Sequence, residues 1–242
     1  MNSYEKSVFD MYKSCQLGVG KKCDMCRKEN PGLCKPISIY HVGNQYAVSK
    51  HRVLFVGKAA RGSVQEDADC INGIQDGTGV AEDLYHAVGW PFWSYTRAIA
   101  EELYGEADAW EKISMTNTVK CNASETVDTT TESVKWNCAG YLRKEIELLL
   151  PKNIIFYTNA WYDDAVASLF DSIENAKYHD VPCGQKQMHL WCFTGMIDGH
   201  PMRVIRTGHP ERMKKDDFTG RIIEFVRDGA MIDQNVIEEN GK

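Results

Sequence analysis

Four short apolar runs punctuate the chain, each bounded by polar or turn-forming residues. They are Arg52-Val-Leu-Phe-Val-Gly57, Ile113-Ser-Met-Thr-Asn-Thr-Val119, Asn153-Ile-Ile-Phe-Tyr-Thr158 and Met202-Arg-Val-Ile-Arg-Thr207. Their shortness and their β-branched and aromatic content predict strands rather than buried helices. Helical spacing fills the intervals. Ser94 to Tyr104 carries one such pattern, with Gly105 placed just past its end. The clearest pattern follows Thr129, whose hydroxyl can cap while Glu132 reaches back three residues later. Val134, Cys138, Tyr141, Leu142, Ile146 and Leu149 then recur at helical spacing until Pro151 stops the run. Residues Trp161–Phe170 and Phe218–Val226 predict two further helices, and the end from Asp233 is expected to fray. Before the fourth strand, Met188-His-Leu-Trp-Cys-Phe-Thr and the Asp198-Gly199 turn predict an added hairpin.

Strands that are apolar almost throughout and alternate with helices predict a parallel sheet covered on both faces. The expected fold is α/β: three layers, α/β/α, around a central, mostly parallel four-stranded sheet. No repeat or low-complexity linker divides the chain, so residues 1–242 are read as one domain with a cysteine-bearing N-terminal arm over 1–50. In an open parallel sheet, ligands bind beyond the carboxyl ends of the strands. Gly57-Lys-Ala-Ala-Arg-Gly62, Asn117 to Cys121, Thr158-Asn159 and Gly208-His-Pro-Glu-Arg212 all fall there.

Composition narrows the function classes. With 43% hydrophobic and 26% charged residues the chain is globular, and wholesale disorder is excluded. No apolar run approaches the roughly 18 residues of a membrane span. The first residues lack the basic-then-apolar pattern of a secretory leader, so the expected location is cytoplasmic. A net charge of -6 argues against a purely electrostatic nucleic-acid binder. A local patch remains open: Arg203, Arg206, Arg212, Lys214 and Lys215, with Lys58 and Arg61, predict a phosphate-binding rim.

The 9 cysteines, at 15, 23, 26, 34, 70, 121, 138, 183 and 192, are too many and too odd in number for a disulfide framework without export. Metal or cluster ligation is the reading to test. Only Cys23-Asp-Met-Cys26 has ligand spacing at close range, and Cys15 and Cys34 flank it symmetrically, the pattern of a separate zinc knot. Cys183 and Cys192 read as buried or incidental thiols. Nothing in the pattern accounts for residues 70–89 or 177–187.

Several motifs, in order, resemble the uracil-DNA glycosylase superfamily, and most of all its iron–sulfur branch. Phe55-Val-Gly-Lys-Ala-Ala-Arg-Gly62, followed by Glu66-Asp67, resembles the first active-site loop, Gly-Glu-Ala-Pro-Gly. Thr116-Asn-Thr-Val-Lys-Cys121 resembles Asn-Val-Val-Lys-Cys, Asn137-Cys-Ala-Gly-Tyr-Leu142 resembles the Cys-x-x-Tyr-Leu helix, and Leu150-Pro-Lys-Asn-Ile-Ile155 the strand after it. Thr207-Gly-His-Pro210 resembles the closing His-Pro loop, and Trp90-Pro-Phe-Trp-Ser94 resembles Pro-Phe-Val-Gly. The resemblance covers most of residues 23 to 210, with a gap at about 69–89. It implies that fold and a [4Fe–4S] cluster held by Cys23, Cys26, Cys121 and Cys138, a soft thiolate set that iron–sulfur centres accept. DNA carrying uracil or another damaged base is the implied partner.

Base excision needs an everted base gripped on its pairing edge, and a donor for the negative charge it takes away. Asn117 can meet a pyrimidine through both amide atoms. By the resemblance, His209 donates to the departing base and Phe92 stacks on it, with Trp93 as competitor for that role. Gly57 lines the loop, and Arg61 and Arg212 face phosphates. The departure from the family pattern is Lys58, where the iron–sulfur branch carries glutamate, with Ala60-Arg61 replacing Pro-Gly. An ammonium repels a cationic sugar, but Lys58 can steady the anionic base, bind a phosphate, or attack the sugar as a Schiff-base nucleophile. Glu66 or Asp67 can supply the missing negative charge. Three hypotheses follow: an N-glycosyl hydrolase acting on DNA, a binding protein that keeps the fold without catalysis, and a metal-dependent scaffold or redox sensor.

Overall fold

The computed structural model describes residues 2–15, 22–33, 40–59, 81–87, 89–124 and 127–228. Arg61, Glu66, Asp67, Cys34, Cys70 and the side chain of Cys15 lie outside the described residues. Among those described, seven strands form one mixed sheet: β1 (His41–Val42), β2 (Val53–Ala59), β3 (Ser114–Val119), β4 (Asn153–Tyr157), β5 (Ser172–Cys183), β6 (Lys186–Ile197) and β7 (His200–Thr207). Their order is β1-β3-β2-β4-β7-β6-β5. The four strands β3, β2, β4 and β7 run parallel, whereas β1, β6 and β5 pair antiparallel with their neighbours.

The sheet is therefore larger than the four strands expected from the apolar runs. Strand β1 has only two residues, too few for any pattern. Strand β5 is exposed along most of its length, with neither an apolar run nor alternation to signal it. It occupies much of the stretch 177–187 that the sequence left without a reading, and it pairs along β6 with a register break between Glu174 and Lys177. The tight turn between β6 and β7 is as expected, with Asp198 at φ 49° and Gly199 at φ 76°.

Eight helices are seen among the described residues: α1 (Ser3–Cys15), α2 (Lys22–Glu29), α3 (81–87), α4 (Pro91–Tyr104), α5 (Ala109–Lys112), α6 (Glu132–Leu149), α7 (Asp163–Ala167) and α8 (Lys215–Asp228). Helix α4 starts three residues earlier than the apolar spacing indicated, because Pro91 occupies its first turn. Gly105 closes it at φ 84°, its N–H donating to the Glu101 carbonyl at 2.8 Å. The cap of α6 is Thr131 rather than Thr129: Thr131 Oγ1 accepts the Val134 N–H at 3.4 Å, and Thr129 instead bonds to Asn122. The helix expected over Trp161–Phe170 breaks into a 3-10 turn, Ala160–Tyr162, and the short α7, because Asn159 Oδ1 caps the turn through the Trp161 N–H at 3.2 Å.

Strand alternation sends successive side chains to opposite faces. Val53, Phe55, Ile155, Tyr157 and Ile205 meet α4, α5 and α8 on one face. Leu54, Val56, Ile154, Phe156 and Val204 meet α1, α6 and α7 on the other. Each fully buried side chain of this kind contributes about 1.5–3 kcal/mol, so the two layers hold the sheet ends rigidly beneath the loops.

Helix α1 is fastened to β1 through Glu5, which accepts the Val42 N–H at 3.4 Å and lies 3.6 Å from His41 Nδ1. Burial pushes the Glu5 carboxyl up, but His41 and the N–H groups of Val42 and Asn2 outweigh it, and its pKa falls below the ordinary 4.5. A depressed folded-state pKa means that its stabilisation is present above the ordinary value and is lost as pH falls through the folded one. Glu5→Gln is expected to flatten the acid limb of the curve of Tm against pH below about 4.5, read by thermal unfolding. An unchanged acid limb would remove Glu5 from that role.

Candidate functional site

The carboxyl ends of β2 and β3 lie side by side, Gly57 opposite Asn117. Thr118 Oγ1 donates to the Gly57 carbonyl at 3.0 Å and locks the pair. A Cβ on Gly57 would stand 2.4 Å from Asn117 Oδ1 and 3.2 Å from Phe92 Cε2. Glycine is required at 57 by that close approach: the Asn117 amide and the Phe92 ring converge in the space a side chain would fill. Asn117 is buried, and Phe92 and His209 are half-buried.

Phe92 is set by two perpendicular neighbours, Trp93 at 5.0 Å and 87° and Tyr157 at 5.5 Å and 85°. Trp93 is only 4% exposed and belongs to the core, so it does not compete with Phe92 for a ligand. The imidazole of His209 lies 17° from the plane of Phe92, with 6.5 Å between ring centroids. That distance is well beyond face-to-face contact of about 3.5–4 Å, so the two rings are parallel but not in direct contact.

The His209 loop is braced from both sides. Tyr95 of α4 donates to the Met213 carbonyl at 2.7 Å, and the Met213 N–H returns to the Pro210 carbonyl at 3.1 Å. The Glu211 N–H donates to His209 Nδ1 at 3.2 Å, which makes Nδ1 the acceptor and leaves the proton of a neutral ring on Nε2. Strand ends and loop bracing thus bring Gly57, Phe92 and Asn117 together, with His209 beside Phe92.

The remaining candidates distribute differently. Lys58, next along β2, is half-buried, and its side chain makes no ion pair or hydrogen bond with the described residues. Arg212 is exposed beside the His209 loop, 3.9 Å from Glu211, with φ 68°. The basic rim expected around the loop is mostly dissolved. Arg203 lies on β7 level with Asn153, the first residue of β4, and donates to the Phe225 and Val226 carbonyls at 3.3 and 2.8 Å. Arg206 is 3% exposed and makes a bidentate pair with Asp163 at 2.7 and 2.6 Å. Lys214 pairs with Asp217 at 3.1 Å, and Lys215 lies over the Tyr95 ring at 5.8 Å.

On the other face, Cys23 and Cys26 of α2, Cys121 just after β3 and Cys138 of α6 line one cavity together with Lys22, Arg27 and Lys120. Asn30 holds α2 there: its Nδ2 donates to the Cys26 carbonyl at 2.9 Å, and its Oδ1 accepts from Thr131 and Ser133 at 3.1 and 3.0 Å. Burial pushes the Cys138 thiol up to about 11, against the pull of Lys120. Among the described residues no three Cys, His, Asp or Glu side chains converge as ligands of a single ion. Four thiols are a donor set that both iron–sulfur centres and zinc take. The four-cysteine zinc knot would need Cys34 and the side chain of Cys15, outside the described residues, and its other two members already face Cys121 and Cys138. Cys183 and Cys192 are buried elsewhere, and burial pushes Cys192 up to about 12.

Sequence reasoning missed the cluster between the two sites. Lys120 Nζ donates to Glu145 Oε2 at 2.8 Å, Thr116 Oγ1 at 2.7 Å and the Asn117 carbonyl at 2.5 Å. Tyr12 of α1 hydrogen-bonds the other Glu145 oxygen. A lysine in a turn and a glutamate on a helix read as solvated charges, and only a contact 25 residues apart in sequence reveals the pair. No helix among the described residues is long and apolar enough to cross a membrane. Comparison with models of known protein families found none that matches, and no curated protein compared with the chain matches it.

Proposed function

We propose that the chain is a uracil-DNA-glycosylase-like N-glycosyl hydrolase that releases uracil or another damaged base from DNA. One observation carries the reading: the Asn117 amide and the Phe92 ring converge over Gly57 at the carboxyl edge of the parallel strands, with the His209 imidazole parallel to that ring at 6.5 Å. On this reading the parallel block β3-β2-β4-β7 corresponds to the four-stranded core of such a fold, with β1 and the β5–β6 hairpin added to it.

A base laid on Phe92 would lie nearly parallel to the imidazole, and Nε2–H is the donor assigned to it. Asn117 reads the pairing edge. As the glycosidic bond breaks, its electron pair leaves with the base, and His209 stabilises that charge by donation. Water adds its oxygen to the sugar carbon, and the proton it gives up ends, through solvent, on the released base. Strand alternation starts the Lys58 side chain on the face opposite Phe92, so it would serve the anionic base or a phosphate only by reaching past the end of β2, and it does not orient the water.

The cysteine cavity fits a [4Fe–4S] centre. Its donors are all thiols from three chain segments, Lys22 and Arg27 line it beside the Glu145-paired Lys120, and a cluster holds its ligands wider apart than a single ion does. When bound, the centre would cross-link the N-terminal arm to α6. Protein purified without oxygen is expected to be brown, with broad visible absorbance bleached by dithionite. A colourless, zinc-containing preparation would replace the cluster with zinc.

Uracil-containing single- and double-stranded oligonucleotides, incubated with the protein and then treated with alkali, test the activity. Strand scission lost in Asn117→Ala supports the reading, and scission that persists in both Asn117→Ala and His209→Ala removes the assigned site. Binding without scission on any lesion would favour the non-catalytic alternative, for which Lys58 in place of glutamate speaks.

A further inference from the structure

We propose that Lys120 is a positioning residue for Asn117, clamping the end of β3 so that the amide is presented to the cleft. This rests on the reading of the cleft as a nucleobase site. An ammonium has three hydrogens, and those of Lys120 match three acceptors: Glu145, Thr116 and the Asn117 carbonyl, all within 2.8 Å. The bond to Asn117 closes a side-chain-to-backbone loop over three residues where β3 ends. Strand alternation puts Thr116 toward α6 and Asn117 toward the cleft, so a clamp on the α6 side fixes the peptide that follows the Asn117 side chain.

Three features suit Lys120 to this role better than a mere counter-charge. The bond to Asn117 is to the backbone of the residue that would read the base, and it adds nothing to charge balance. Glu145 is itself held by Thr116 Oγ1 at 2.9 Å and by Tyr12, so the acceptor of Lys120 cannot drift. Both members of the pair are essentially out of water, with side-chain exposures of 3% and 1%, and no solvent competes for the donors.

The test separates charge from position. Lys120→Met strands Glu145 and is expected to lose both stability and cleft affinity. Lys120→Met combined with Glu145→Leu removes both charges, and replacement of a buried pair by apolar side chains is often neutral for stability. The double variant is expected to recover much of the wild-type Tm while binding a uracil-containing single-stranded oligonucleotide at least about tenfold more weakly, because the base-reading amide is no longer held in register. The side-chain amide resonances of Asn117, followed by NMR in the full chain, are expected to shift or split in the same variant. Wild-type affinity with an unshifted Asn117 signal in a stable double variant would overturn the proposal and reduce Lys120 to a counter-charge. If the double variant fails to fold, Lys120→Arg decides: it keeps the charge, but a planar guanidinium cannot serve the same three acceptors, so Asn117 should still move. If the wild-type protein binds no uracil-containing oligonucleotide, the cleft reading fails, and the Asn117 resonances alone judge the clamp.

Discussion

His209→Ala is expected to lower base release by about 10²–10³-fold, the usual loss when one donor to a developing anion is removed. The expectation comes from the tautomer: with Nδ1 engaged by the Glu211 N–H at 3.2 Å, the donor of the neutral ring is Nε2. The measurement is the single-turnover rate on a uracil-containing oligonucleotide, with alkali scission as readout. Affinity for the undamaged strand should change little, since the donor acts on charge that develops only as the bond breaks. A drop in binding with an unchanged single-turnover rate would move His209 from leaving-group stabilisation to ground-state recognition. Phe92→Ala should behave in that second way, losing about 1–3 kcal/mol of base stacking.

Arg206→Met is expected to cost about 3 kcal/mol or more of folding stability, the scale for breaking a buried pair by removing one partner. Asp163, whose carboxyl is 17% exposed and already pushed above its ordinary pKa by burial, is then left with no guanidinium beside it. Chemical denaturation gives the number, and for a chain of this size each kcal/mol moves Tm by roughly 2–4 °C. The salt dependence of oligonucleotide binding should stay as in the wild type, because each lost phosphate contact would flatten that slope. A flattened slope with unchanged stability would return Arg206 to the nucleic-acid rim.

The contrast between those two residues marks what the sequence could convey. Strands β2 and β4 were legible because they are apolar on both faces, and β3 and β7 because their short Met-, Val- and Ile-bearing runs are bounded by turn-forming residues even though polar side chains are buried within them. The positions of Gly57, Asn117 and His209 followed from where such strands end. Phe92 and the four cysteines needed the motif order as well, since an aromatic before a helix and a cysteine on its buried face look the same as core. Arg206 failed as a rim residue for a simple reason: its neighbours in sequence alternate faces, and its partner Asp163 lies 43 positions away. Lys120 and Glu145 were silent on the same ground. Charged residues are usually exposed, so a buried pair is invisible until both ends are placed. Strand β5 was missed because pairing with β6 creates it, with little apolar content of its own.

That outermost strand also has a bearing on how copies of the chain behave when crowded. A long ribbon at the border of a sheet offers a row of unpaired amides and carbonyls on which another molecule can zip. Here the row is spoiled in three places: Asn175 takes φ 55°, the register slips before Lys177, and Pro182 has no N–H to give. Straightening it, by restoring an even ladder and an amide at 182, would hand the protein a template for its own aggregation.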